Sequence, residues 1–217
     1  MRSWFVAIAC ILGAAACNGS SDGATTVSTT TAVTATSPST STSTTTLPTT
    51  TTPSPPRYAF PISPDRGVSY GRTHAGYKAT DVFAPCGAAY VAVTDGRLDD
   101  VNRVDRWDPK TDDPALRGGL WVSFVGTDGV RYYGSHLSAI TAGLETGGQV
   151  TAGQEVGRVG RTGNAADTPC HVHFGLSPGT TPGAWDVRRG LVWPWPYLDS
   201  WREGGQRSPR EEVLNSG

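Results

Sequence analysis

Between Gly23 and Pro56 the chain carries no charged residue and almost no large apolar one; it is built of Thr, Ser, Pro and small residues. A segment of that composition cannot bury enough apolar surface to offset the entropy of ordering it, so residues 18–57 are predicted to be disordered. The run ends in "PSPP", which stiffens locally into polyproline II. As a flexible coil such a stalk spans roughly 35 Å, and a fully extended polyproline path gives an upper limit of about 120 Å. Whatever folds must do so after it. The sequence therefore divides into residues 1–17, a linker at 18–57, a folded domain at 58–201 and a tail at 202–217.

Within the folded part, glycine and proline punctuate short apolar runs, and the chain holds 27 Gly and 16 Pro among 217 residues. Few segments could sustain a helix, which favours a loop-rich, mostly β protein. "AAYVAVTDGRLDDV" reads as two strands about an Asp95-Gly96 turn, and "LWVSFVGTDGVRYYGSHL" as a hairpin about Asp128-Gly129. "GGQVTAGQEVGRVGRTG" gives short Val-containing strands, with Arg161, Thr162 and Asn164 on a turn. "RVDRWDPKTDDPALRGG" is a polar surface loop. The Trp-rich "LVWPWPYLDSW" is read as a strand-and-cap closing the edge of the core, with a carbohydrate-binding patch as the alternative. In the tail, "SPREEVL" suits a short helix or a frayed end.

The start of the chain looks like an export signal. Arg2 precedes the apolar run "WFVAIACILGAAA", which is too short for a comfortable membrane span. "GAAAC" at Cys17 resembles a bacterial lipoprotein box, in which that cysteine becomes the lipidated N-terminus. The expected location is therefore outside the cytoplasm, anchored to the membrane by lipid and facing the cell wall or periplasm. Cys86 and Cys170 then remain in the exported part. An even pair in an oxidising compartment is most simply a disulfide. A Cys/His metal site using Cys170 is the alternative, although a strand would turn Cys170 away from the neighbouring His171.

The formal net charge of −1 gives no argument for a nucleic-acid partner. The chemistry lies in the histidines. There are four: His74, His136, His171 and His173. In "CHVHFGL" His171 and His173 are two apart, so on a strand they project from one face. His74 precedes Asp81 in "THAGYKATDVFAPCG", and His136 ends the predicted hairpin in "YYGSHLS". A catalytic zinc site takes about three ligands from His, Asp or Glu and leaves a position open. Two histidines with Asp81 would make one, leaving two for proton transfer near neutral pH. There is no "HExxH" to supply a helix-borne glutamate base. Scattered histidines also serve as surface or hydrogen-bonded core residues, so the residue types alone leave both readings open.

The run "HAGYKATDVFAPCG", then "YYGSHLS", then "GQEVGRVGRTGN…CHVHFGL" resembles the lysostaphin-type zinc metallopeptidases, which cut peptide bonds in bacterial peptidoglycan. The resemblance covers about Arg72 to Leu176, in order, with all four histidines on motif positions. It implies a small antiparallel β-sheet core with a loop-walled groove. It implies Zn2+ held by His74, Asp81 and His173, and a metal-activated water assisted by His136 and His171. The substrate implied is a peptidoglycan stem or cross-link peptide. A non-catalytic relative that binds the wall or regulates a cell-wall amidase is the alternative, and a regulatory protein partner is compatible with either. One spacing departs from the family: six residues separate His74 from Asp81 where three are usual, although "DVFAP" keeps the aspartate's frame. A Cys86–Cys170 disulfide would pin the Asp81 strand to the His173 strand.

Overall fold

Along residues 171–174, His-Val-His-Phe, polar and apolar side chains alternate, so the two faces of the main sheet are unlike there. The structure, a computed structural model, describes residues 57–180 and 184–216. The export signal, Cys17 and all of the Thr/Ser/Pro linker except Arg57 lie outside the described residues.

Among the described residues there are eleven strands: β1 (Ile62–Ser63), β2 (Ser69–Tyr70), β3 (Thr80–Phe83), β4 (Ala89–Val91), β5 (Gly96–Asn102), β6 (Leu120–Gly126), β7 (Val130–Leu137), β8 (Ala139–Ile140), β9 (Gln149–Val150), β10 (Glu155–Arg158) and β11 (His171–Pro178). They are joined by a 3-10 turn at Gly163–Ala165 and by three short helices, α1 (Trp185–Arg188), α2 (Trp195–Arg202) and α3 (Arg210–Leu214). A seven-stranded sheet has the order β2-β3-β11-β7-β6-β5-β9, and a four-stranded sheet the order β1-β4-β10-β8. The pairings are antiparallel throughout, so the mostly β, antiparallel expectation is met.

One cluster of buried side chains joins the two sheets. Val82, Val122, Phe124, Tyr132, Phe174 and Leu176 come from the large sheet, and Ile62, Tyr90 and Val156 from the small one. Tyr90 reaches Gly134 on β7 so closely that a Cβ there would overlap its ring; the glycine is what lets the sheets approach. The C-terminal helices cover the same face. Trp201 of α2 stacks on Tyr58 at 5.3 Å between ring centroids and packs against Tyr132 at 6.3 Å and Phe174 at 6.4 Å. Val213 of α3 is fully buried.

Three local readings meet the structure differently. The Asp128-Gly129 hairpin forms, with β6 paired to β7. The strands flanking Asp95-Gly96 do not pair with each other, because β4 belongs to the small sheet and β5 to the large one. Val91–Val93 and Leu98 are buried on both sides of the bend, and burial in two sheets outweighs the local turn signal. "LVWPWPYLDSW" makes only a single bridge to β11, at Val192, before turning into α2, with a proline in its first turn. A proline at that position has no helical N–H to lose. The expected disulfide is formed between Cys86 and Cys170.

Candidate metal centre and its groove

Strand β11 lies between β3 and β7, and this adjacency assembles the site. His173 is in register with Asp81 on one side and with Ser135 on the other. Directly opposed residues of an antiparallel pair hold their Cβ atoms about 5 Å apart on the same face, so a strand-borne histidine and aspartate meet without help from any loop. His171 sits two residues earlier on that face, opposite Phe83. His74 comes from the loop before β3. The lengthened interval does not take it away: one ligand atom from each of His74, Asp81 and His173 falls in a group whose members lie within 4.8 Å of one another.

A hydrogen bond to a backbone carbonyl fixes which nitrogen of His173 carries the proton. His173 Nε2 lies 2.9 Å from the carbonyl oxygen of Arg189. A carbonyl only accepts, so Nε2–H donates, and the neutral ring keeps its lone pair on Nδ1. That atom faces Asp81 Oδ1 at 3.0 Å. Two acceptors facing each other require a cation, either a proton or a metal. His74 turns Nε2 toward the same oxygen at 3.8 Å, while its Nδ1 is buried with no hydrogen-bond partner among the described residues. This donor set fits zinc, whose protein ligands are imidazole nitrogens and carboxylate oxygens. The Arg189 carbonyl is the kind of outer partner that orients a ligating imidazole. It reaches the strand because Gly175 has no side chain; a Cβ there would collide with it.

His136 and His171 are built by the same device. His136 Nδ1 donates to the Thr162 carbonyl at 2.9 Å, and His171 Nδ1 donates to the Pro169 carbonyl at 2.9 Å. In each neutral ring Nε2 is left as an acceptor. Their centroids are 4.9 Å apart, and His136 lies 6.1 Å from His173. His136 has φ +65°, the left-handed region, which histidine tolerates better than most residues. Such a conformation persists only where the surroundings over-determine it.

Electrostatics follow from burial. His136 is 8 % exposed, and burial, with the nearby His173 and His171, drives its pKa down to about 3. The ring is therefore neutral across the physiological range. Burial, then His173, also lowers His74. Burial works to raise Asp81, but the hydrogen bond and charge of His173, with His171 and His74, bring it to about 2.

These residues line an open groove of about 450 Å³. Its walls include Pro114, Ala115, Arg117 and Gly118 at the end of the long polar loop, together with Asn164 from the Gly-rich turn. The sequence reading did not single out Tyr77, Trp185, Arg188 or Arg189, which also line it. Their only signal is position. Tyr77 falls inside the lengthened His74–Asp81 interval; Trp185 and Arg188 follow β11 on a single-turn helix that periodicity cannot reveal, and Arg189 is its C-cap.

A family model described as Peptidase family M23 matches residues 75–183, half of the chain. The match includes Asp81, His136, His171 and His173 and begins one residue after His74. The L-Ala–D-Glu endopeptidase of Bacillus subtilis is 28% identical over 141 residues. That match takes in 63% of this chain but only 37% of the relative's length. A solved structure of a Ruminococcus gnavus protein, assigned as a glycyl-glycine endopeptidase, superposes with a TM-score of 0.52 at 23% identity. It covers 70% of this chain and 62% of that one, a likeness of fold. The catalytic domain of lysostaphin from Staphylococcus simulans is 25% identical with a TM-score of 0.45, covering 62% of this chain and 91% of the domain. On the strength of the family match, this chain belongs to peptidase family M23.

Proposed function

We propose that this protein is an exported zinc-dependent endopeptidase that hydrolyses peptide bonds in the stem or cross-link peptides of peptidoglycan. The observation that carries the reading is the convergence of His74, Asp81 and His173 beside two further histidines whose Nε2 atoms are free to accept a proton. Membership of peptidase family M23 and the likeness to the L-Ala–D-Glu endopeptidase of Bacillus subtilis support it.

His74, Asp81 and His173 would hold the zinc. When bound, zinc supplies a Lewis acid that polarises a peptide carbonyl and makes water acidic enough to ionise near neutral pH. The chain's own residues do the rest. The Arg189 carbonyl keeps the proton of His173 on Nε2, so Nδ1 stays a ligand. His136 and His171 enter as neutral rings with Nδ1–H committed to backbone carbonyls. One Nε2 takes a proton from the attacking water. That ring is then a donor, and the same Nε2 returns the proton to the departing amine nitrogen. The groove, open at its top, accepts an extended peptide across these atoms.

The reading extends to the rest of the chain. Cys17 would anchor the protein to the membrane by lipid, and the Thr/Ser/Pro linker would let the domain reach wall peptides from there. Incubating the zinc-loaded protein with purified peptidoglycan and analysing the released fragments by mass spectrometry tests the activity. New peptide termini should appear, should be abolished by chelation, and should fall about 10²–10⁴-fold with His171→Ala. Zinc binding with intact peptidoglycan throughout would transfer the protein to the regulatory, non-catalytic reading.

A further inference from the structure

Three arginines reach the groove, and two of them already have carboxylates. Arg117 pairs with Asp112 through Nε at 2.8 Å, and Arg188 Nη1 lies 3.2 Å from Asp100 Oδ2. Arg189 is different. Its guanidinium carbon sits 4.0 Å from the ring centroid of Tyr77 and 4.6 Å from that of Trp185. Its Nε is buried with no hydrogen-bond partner among the described residues, and no carboxylate of those residues comes within ion-pair distance of it.

Aromatic rings attract a guanidinium through its faces and leave its N–H bonds, which radiate in its plane, to other partners. Contact with two rings also restricts the side chain's rotamers before any ligand arrives, so less freedom is lost on binding. In-plane N–H donors with no carboxylate at hand suit a carboxylate ligand, which such a fork can take in bidentate fashion. Position says where that ligand lies. The backbone carbonyl of this same residue holds His173 Nε2, so the guanidinium is fixed one side chain away from the candidate metal centre. The extra residues between His74 and Asp81 acquire a purpose too, since Tyr77, one of the two rings, lies among them.

We infer that Arg189, held between Tyr77 and Trp185, docks a carboxylate of the substrate, so that the groove selects acidic peptides whose free carboxylate flanks the scissile bond. The inference rests on the groove being a peptidase active site. It excludes an uncharged glycine bridge as the preferred substrate.

The test uses the full chain and two peptides. In one, alanine is followed by a D-glutamate joined onward through its γ-carboxyl, leaving the α-carboxylate free. In the other, that carboxylate is converted to the amide. Hydrolysis is followed on the zinc-loaded protein, and binding by calorimetry on the metal-free protein, for wild type, Arg189→Gln and Arg189→Lys. Wild type should favour the carboxylate peptide in kcat/KM by about 10- to 100-fold. The ratio should fall near one in Arg189→Gln and to an intermediate value in Arg189→Lys, which keeps the charge but loses the fork and much of the stacking. Equal hydrolysis of the two peptides by wild type, or a preference that survives Arg189→Gln, overturns the inference and leaves the peptidase reading standing. An Arg189-dependent binding preference without hydrolysis of either peptide upholds carboxylate docking by Arg189 but defeats the peptidase reading, and with it the selection at a scissile bond. Failure to bind either peptide overturns the inference.

Discussion

Strand β11 has two faces that are almost equally shut off from water and built on opposite logic. On one, Val172, Phe174 and Leu176 are at most 1 % exposed and belong to the apolar core, with the buried Thr80 opposite Phe174. On the other, His171 and His173 are 5 % and 4 % exposed, yet each ring is held by a backbone carbonyl and keeps one nitrogen for something else. Burial alone therefore does not separate core from site. The difference lies in what the strand offers on each face: hydrocarbon on one, oriented ring nitrogens on the other.

Substitutions on the two faces should separate stability from chemistry. Phe174→Ala empties a fully buried position that packs against Tyr132 and Trp201, and should cost about 3–5 kcal/mol in denaturant unfolding. His136→Asn keeps a residue type that accepts φ +65° and should cost only about 1 kcal/mol, while hydrolysis falls by about 10²-fold or more. Equal stability losses for the two variants would erase the distinction between the faces.

A smaller effect sharpens the same contrast through pH. His136 has a folded pKa of about 3, below the unfolded value of about 6.5. Between those values the unfolded chain binds a proton that the folded chain refuses. The stabilisation is therefore complete above about pH 6.5 and is lost as pH falls toward 3, by up to about 1.4 kcal/mol per pH unit. His74 is shifted in the same direction. Asp81, depressed to about 2, adds its own loss only below the ordinary carboxylate value near 3.9. Urea midpoints of the metal-free protein should fall across this window, and His136→Asn should make the slope shallower. The apolar face contributes nothing to that slope, so Phe174→Ala should shift the whole curve without changing its steepness.

The sequence made some of this legible and hid the rest for definite reasons. His74, Asp81, His136, His171 and His173 were visible because metal and proton chemistry demands particular side chains, and these lie at strand spacing or within recognisable runs. Cys86 and Cys170 were visible by arithmetic, and β6–β7 by its Asp-Gly turn. The carbonyls of Arg189, Thr162 and Pro169 set the tautomers but leave no trace, because any residue can offer a carbonyl. The separation of β4 from β5 depends on which sheet each buries against, a long-range outcome that a local turn signal cannot report. Aromatic residues around Trp195 suggested a strand; their burial on one side of α2 made a helix instead.

The central claim is that His74, Asp81 and His173 form one metal site despite the long interval between the first two. Zinc content of the purified full chain, measured by elemental mass spectrometry beside His74→Ala, tests it most directly. The account predicts about one zinc per wild-type chain and its loss or marked weakening in the variant. A wild-type chain that holds no zinc when the metal is supplied, or a variant that holds it equally well, would contradict it.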